Sequence, residues 1–504
     1  MNRFTKKLLG YFPVSYLLGV IGVIFLFFVS LVSESSEDEV PMSTAEIYQA
    51  LNFVILIGLV VYIILCIYGY FYYKTSGYKL TDKEIICVRG VLFKKKSIIE
   101  YNKIHAVNQK QGLIQRLFGI SVLTVDSGST NTSTEAEVIV YEDKKIVDEL
   151  IYKLKNVDMI ENGDVKTIVE AKSYSYKFSS LRKIVYSLLS VLSSLIMMGL
   201  IFGIIIIFAL MFKDSIEDGF TSTDLLILFG LIYVLVNGIV FVTQIIYSFV
   251  ALHNFTVEKD GDSLNINYGL FTKVHNTFKL DRIKGVKIEQ GLVQRLFGFA
   301  TVKLEVIGYD FFSNGNGNDG GNAQQVGLLI PMCKTSELNE YIAEILPDYV
   351  PLEKNGKAKD FKAFFAMPTI ITAIICIILW LFAAPFALIV KDPQYLLIIS
   401  IIILASFVFL LCCYIIYSIF AYPRQAVSVS EGKITIFTGS LHHTTTVIKK
   451  ENLIAIEDIT TYHRAKKGIY TYKIHFHTNA LTNVVKVSNL DLELKEKLLN
   501  LLKY

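Results

Sequence analysis

Apolar positions in this chain are gathered into six long runs. Val14–Val32, Ala50–Tyr73, Ile184–Phe212, Leu225–Leu252, Phe364–Val390 and Tyr395–Phe420 contain no Asp, Glu, Lys or Arg. Each is about as long as the ~20 residues needed to cross a bilayer core. A helix of that length packed in water would keep one polar face, and these runs have none. The pattern predicts six transmembrane helices in pairs, joined by short linkers at Ser33–Gln49, Lys213–Asp224 and Lys391–Gln394. A longer polar block follows each pair. The expected organisation is hairpin then domain, three times: residues 1–73 and 74–181, 182–252 and 253–363, 364–420 and 421–504.

Inside the polar blocks the period changes. Ile85–Val88, Ser97–Tyr101, Val122–Val125 and Val138–Tyr141 are short, β-branched or aromatic, and bounded by turn residues, which predicts strands. Gly90, Gly269 and Gly439 stand where hairpins would turn. Each block closes on an amphipathic helix, expected at Asp143–Leu154, Ser336–Leu346 and Leu490–Leu502. Ile146, Leu150, Ile151 and Leu154 form the predicted buried stripe of the first, and Ser336 is the expected N-cap of the second.

Composition agrees with this division. The chain has 504 residues, 53% hydrophobic and 19% charged, too apolar for disorder, and six Cys are too few for a disulfide scaffold. Its net charge of +4 is too small at this length to imply a nucleic-acid partner. The short linkers carry only Lys213 and Lys391 against ten acidic residues, whereas the N-terminus and the three blocks hold the remaining Lys and Arg. The positive-inside rule therefore puts both termini and all three blocks in the cytoplasm of a multi-pass plasma-membrane protein.

The blocks repeat. Gly90-VLFKKKSIIEYNKIHAVNQKQGLIQRLFG, ending at Gly119, aligns without a gap with Gly269-LFTKVHNTFKLDRIKGVKIEQGLVQRLFG, ending at Gly298. Gln111–Gly119 and Gln290–Gly298 share eight of nine residues. Block three keeps Gly439, Leu453 and Ile456 but has lost the Gln-Arg-Leu-Phe-Gly ending. These residues resemble the bacterial pleckstrin-homology-like domain of the membrane-associated type. Hairpins alternating with three such domains resemble the YdbT-like membrane proteins of Gram-positive bacteria. The resemblance implies two orthogonal antiparallel sheets capped by a C-terminal helix in each block. It implies no enzyme and no cofactor, and a role in envelope protection or tolerance to membrane-active peptides. Natural partners are the lipid bilayer and a second membrane protein with such a domain, or further copies of the chain.

Three groups of side chains are candidates for contact. The repeated motif places Gln115, Arg116, Leu117, Phe118 and Gly119, and Gln294, Arg295, Leu296, Phe297 and Gly298, on a short helical turn. One reading buries Leu117 and Phe118 and lets Gln115 and Arg116 tie down loop carbonyls. The other aims Arg116 and Arg295 at lipid phosphate or a neighbouring domain, which suits the planar guanidinium fork. Lys94, Lys95 and Lys96 lie at the first hairpin turn, where a tether to the membrane would bring them near anionic headgroups, worth about 1 kcal/mol per Lys. His442, His443, His475 and His477 could meet on neighbouring strands, but no Asp, Glu or Cys joins them at ligand spacing, and no metal is expected.

No Walker-type loop, catalytic triad or HExxH pattern occurs, and the Gly-rich Asn314–Asn322 reads as a loop tip. Asn237 and Gln244 are the only mid-span amides, Gly199 and Gly203 fit a close-packing pair, and Pro368 and Pro385 would kink the fifth span. Ion-coupled carriers place ionisable groups within the membrane, and these spans lack them. The expectation is a non-enzymatic membrane-anchored scaffold. A transporter or channel for a lipid or other uncharged small molecule is the alternative.

Overall fold

A computed structural model describes the chain except residues 1, 35–43, 105, 128–137, 162–173, 212–221, 307–326, 356–357, 363–368, 376, 379–380, 382–392, 477–483 and 503–504. Asn314–Asn322, His477, Pro368 and Pro385 therefore lie outside the described residues. Three described helices are long and apolar enough to cross a membrane, within Leu8–Ser30, Tyr48–Thr75 and Gly230–Ala251. The chain divides into two compact units. The first holds residues 1–177 and 249–280, the second 178–248 and 281–504.

In the first unit, strand β1 (Asn2–Arg3) precedes the apolar helices α1 (Leu8–Glu34) and α2 (Thr44–Thr75). They pack side by side, with Gly58 against Val20 and Ile24, and Gly69 against Phe12. Strands β2 (Gly77–Leu80), β3 (Glu84–Arg89) and β4 (Lys95–Glu100) then form an antiparallel sheet of order β1-β2-β3-β4. The segment before the hairpin is thus paired with the domain after it. A second sheet starts with β5 (Ala106–Gln111), passes through the short helix α3 (Leu113–Phe118), and continues with β6 (Ile120–Asp126) and β7 (Val138–Asp143). Helix α4 (Lys144–Glu161) closes the domain.

The core of this domain joins Ile85, Ile99, Ile120, Leu123 and Val140 to Val147, Leu150, Ile151 and Leu154 of α4, and to Phe4 just before the first apolar helix and Leu8 at its start. Burying each such aliphatic side chain is worth ~1.5–3 kcal/mol. Ile146 is not in the stripe. It is exposed and Val147 takes the buried place, because 147, 150, 151 and 154 follow the helical i, i+3, i+4, i+7 spacing.

The same unit contains β8 (Ser175–Lys177), β9 (Thr256–Asp260), β10 (Ser263–Tyr268) and β11 (Lys273–Lys279). β8 precedes the second hairpin and pairs with β9 after it, as β1 does with β2.

The second unit begins with α5 (Ser180–Met211) and α6 (Ser222–Ala251), joined by Gln244, which donates to the Ser190 hydroxyl, and by a bond between the Ser187 and Ser248 hydroxyls. It contains β12 (Ile283–Gln290), the short helix α7 (Leu292–Leu296), β13 (Phe299–Val306), β14 (Leu328–Lys334) and helix α8 (Thr335–Ile345). Lys334, not Ser336, occupies the N-cap of α8 and makes no side-chain cap bond. The Thr335 hydroxyl is turned to the Gly298 carbonyl instead.

After the apolar helix Pro393–Ala421 come β15 (Ala426–Val429), β16 (Lys433–Gly439), β17 (His443–Lys449), β18 (Leu453–Ile459), the helical turn Tyr462–Ala465, β19 (Ile469–Phe476), β20 (Val484–Asp491) and the closing helix Glu493–Leu502. Tyr472, Ile474, Val487 and Leu498 centre its core. Block three therefore repeats the element order of block one although it has lost the motif.

Candidate functional site

The sheets do not end at the domain borders. In the first unit, β5 of block one pairs with β11 of block two in the antiparallel register Gln111↔Lys273 to Ala106↔Phe278, giving the continuous order β7-β6-β5-β11-β10-β9-β8. In the second unit, β12 of block two pairs with β17 of block three, Gln290↔His443 to Gly285↔Ile448, giving β14-β13-β12-β17-β16-β15. Under the gap-free alignment Gln111 corresponds to Gln290, and Lys273 to His443, so the two joints share one register. In each, the first strand of a block's second sheet binds the third strand of the next block's first sheet.

The repeated motif sits at the end of each joint. Gln115 accepts a hydrogen bond from the Gly112 backbone N–H (2.8 Å), and Gln294 does the same for Gly291 (3.0 Å). Each Gln thus satisfies an N–H at the start of its short helix. Arg116, freed from capping, donates through Nη1 to the Leu270 carbonyl, 2.8 Å away. Arg295 donates through Nη1 to His443 Nε2 at 2.7 Å and stacks over the Phe420 ring at 5.6 Å. Leu270 and His443 both belong to the hairpin tip of the next block. Each motif Arg therefore binds the tip of the domain that follows its own.

The tips are built alike. Gly90, Gly269 and Gly439 have φ of 110°, 102° and 100°. A Cβ at any of them would overlap the carbonyl oxygen three residues on, that of Phe93, Thr272 or His442. Only glycine fits this turn. The tips also rest on the ends of the apolar helices. Thr75 of α2 donates to the Gly90 carbonyl at 2.7 Å, and the Leu270 N–H donates to the Val250 carbonyl of α6 at 3.0 Å.

Leu117 and Leu296 are not in a core: they are 79% and 71% exposed, and Phe297 is exposed too. The helical turn itself forms, and it packs both on its own domain, with Phe118 of α3 against the domain core and Val293 of α7 buried, and on the root of an apolar helix. Gln115 donates to the Tyr11 hydroxyl at 3.3 Å, and Phe118 meets Tyr11 edge-on at 6.5 Å. Gly119 ends that turn with φ 68°.

Ion pairs fix each domain to its hairpin. Lys7, just before α1, binds Asp143 at the end of β7 (2.8 Å), and Lys359 binds Asp491 ahead of the last helix. Arg182 at the start of α5 binds Glu337 of α8 (3.3 Å). Burial works to raise the Asp143 carboxyl, but its bonds from Lys7 and Thr5 outweigh that and hold it below the usual range.

The second joint carries more charge chemistry. Glu289 on β12 is bonded by Lys303 (2.8 Å) and Lys287 (3.0 Å), which hold it ionised against the cost of burial. Burial, with Arg424 and Arg295 nearby, pushes His443 down to about 4. A neutral imidazole can accept the Arg295 bond, which places its proton on Nδ1.

Among the described residues, the candidate histidines do not gather into one site. His443 is engaged by Arg295, His442 lies 3.8 Å from Glu289, and His475 lies 3.1 Å from Glu457 on a different sheet. Lys94, Lys95 and Lys96 are exposed at the first tip and the start of β4. Leu270 as the acceptor for Arg116 is invisible in the sequence, because a backbone carbonyl leaves no trace in residue type. The signal available was positional. The motif Arg occurs in blocks one and two, each of which is followed by another block in this sequence. In block three the aligned position is Ala465, and Arg464, aligned with Gln294, donates to Thr471 within its own domain at 2.9 Å.

Comparison with known proteins agrees with this architecture. A family model described as bacterial PH domain matches residues 20–156 and 188–346, more than half of the chain. The chain is 22% identical over 427 residues to the UPF0699 transmembrane protein YdbT of Bacillus subtilis (strain 168), a match covering 79% of each. The chain belongs to the bacterial PH domain family.

Proposed function

We propose that this chain is a non-enzymatic membrane scaffold that presents three PH-like domains in series at the inner leaflet. The observation that carries the reading is the use of the repeated motif: Arg116 and Arg295 each bond to the tip of the next domain. Six spans then serve as anchors, with both termini and all three domains cytoplasmic. The exposed Leu117 and Leu296, at the roots of apolar helices, dip into the headgroup layer. Lys94, Lys95 and Lys96 sit at another such root and add attraction to anionic lipid, about 1 kcal/mol each. A series of domains held this way gives partner proteins an extended platform in the envelope, where a protective role against membrane-active peptides would be exercised.

The test has two arms. Combining Arg116→Ala with Arg295→Ala, or deleting block three, is expected to release co-purifying membrane proteins while leaving the chain in the membrane fraction. Lipid or solute flux in vesicles holding only the purified wild type would overturn the scaffold in favour of a transporter. Orientation is read by impermeant labelling of Ser36→Cys from outside and Lys103→Cys from inside only. Cys87 is buried and would stay silent on either side.

A further inference from the structure

The two joints leave one half-joint open at each end of the series. β4 is the outer strand of the first block's first sheet, the place that β11 and β17 fill in the joints. β18 is the outer strand of the third block's second sheet, the place of β5 and β12. Neither has a neighbour on its outer side among the described residues. An unpaired edge strand is a template for another strand. We propose that the chain assembles head to tail, β18 of one copy pairing with β4 of the next in the register of the two internal joints. This rests on the scaffold reading and names its partner surface: a second copy of this chain.

Three observations favour a second copy. First, the joints already show what covers such an edge, twice and in one register: a strand of a PH-like domain. Carried over by the gap-free alignment, that register sets Lys96 opposite Asp458, Ser97 opposite Glu457 and Ile98 opposite Ile456. Second, the charges match. β4 begins with Lys95 and Lys96, whereas β18 carries Glu457 and Asp458 near its end, bonded within their own domain by Lys473 and Lys495, so Lys96 would join Lys495 at Asp458 while Ile98 meets Ile456. Third, the first tip is bare where the others are partly covered. Leu92 is 86% exposed and its neighbour Phe93 91%, against 51% and 40% for Phe271 and Leu441, which align with Leu92.

One element is missing from this third joint. Ala465 stands where Arg116 and Arg295 stand, so no guanidinium clamps the tip, and the contact relies on strand pairing and charge. It should be weaker than the internal joints and reversed by salt. A head-to-tail contact is heterologous, so it propagates into rows or closes into rings.

Two differently tagged full-length chains, one Lys96→Cys and the other Asp458→Cys, would be co-expressed and oxidised in native membranes. Opposed residues of a strand pair have Cα atoms within disulfide reach. The expected product is a species carrying both tags, at least about tenfold more abundant than with Glu100→Cys in place of Lys96→Cys, four residues out of register. Lys95→Glu with Lys96→Glu should abolish dual-tag species in the co-purified complex, and Glu457→Lys with Asp458→Lys in the partner should restore it. Absence of a dual-tag species at equal expression would overturn the proposal. So would a monomer cross-linked within itself in the doubly substituted chain, or capture by Lys96→Cys of a different PH-like membrane protein. If the pairing fails while the Arg116→Ala and Arg295→Ala chain still loses its partners, the scaffold stands and only the self-assembly falls.

Discussion

The first and second joints use one register and one motif but end on different acceptors. Arg116 bonds a backbone carbonyl, that of Leu270, and Arg295 bonds the imidazole of His443. A carbonyl is an acceptor at every pH and under any substitution of its own side chain. An imidazole is an acceptor only while neutral. The donor is therefore the constant part of the device, and the acceptor is free to vary as long as the glycine tip presents it. The difference also makes the Arg295 clamp, unlike the Arg116 clamp, sensitive to acid. It adds stacking of Arg295 on Phe420, so the second clamp is tied to the last apolar helix as well.

The largest effect should come from the tips. Gly439→Val forces a β-branched residue to φ 100° and onto the His442 carbonyl, which should cost about 3 kcal/mol or more and unpair β12 from β17. Gly269→Val should do the same to the first joint only, and local exchange of β11 against β17 separates the two. Next come the clamps. Arg295→Ala loses a hydrogen bond and a cation–π contact, about 2 kcal/mol, whereas Arg116→Ala loses one bond to a carbonyl that water can then serve, about 1 kcal/mol. Thermal unfolding in detergent compares them, and equal losses would remove the asymmetry.

The pH response follows from the direction of the His443 shift. Its folded value is about 4, below the ordinary 6.5, so the unfolded chain takes the proton first. The Arg295 clamp should be at full strength above pH 6.5 and weaken as pH falls toward 4, while the Arg116 bond to the Leu270 carbonyl is unmoved over that range. Solid-state NMR of labelled imidazole should find His443 neutral at pH 5.5. Arg295→Ala should move its titration upward, because a nearby cation is gone. A charged His443 at pH 5.5 would refute the assignment. Smallest is Lys7→Ala: its half-exposed pair with Asp143 should cost no more than about 1 kcal/mol.

How far the fold was legible depended on the range of the signal. The apolar hairpins, the strands at Glu84–Arg89 and Val138–Asp143 and the closing helices are local patterns, and residues one turn or two positions apart reveal them. The joints are not local: β5 and β11 pair across an intervening pair of apolar helices, and an edge strand has the same alternation whether or not a neighbour exists. Adjacent apolar residues are usually buried in water, which predicts a core place for both Leu117 and Phe118; Phe118 does pack against the domain core, and only Leu117 is exposed. Their turn lies at the root of a span, where exposure of a Leu does not carry that penalty. Gln115 and Arg116 were read as a pair tying down carbonyls; in fact Gln115 accepts from a backbone N–H and only Arg116 reaches a carbonyl.

The central claim is that PH-like domains are spliced by their edge strands. Amide hydrogen exchange on the full chain, held one copy per nanodisc, tests it strand by strand. The account predicts slow exchange for β5, β11, β12 and β17, as interior strands, and fast exchange on the outer sides of β4 and β18, which then lack a neighbour. Exchange of β11 and β17 as fast as β4 would contradict it.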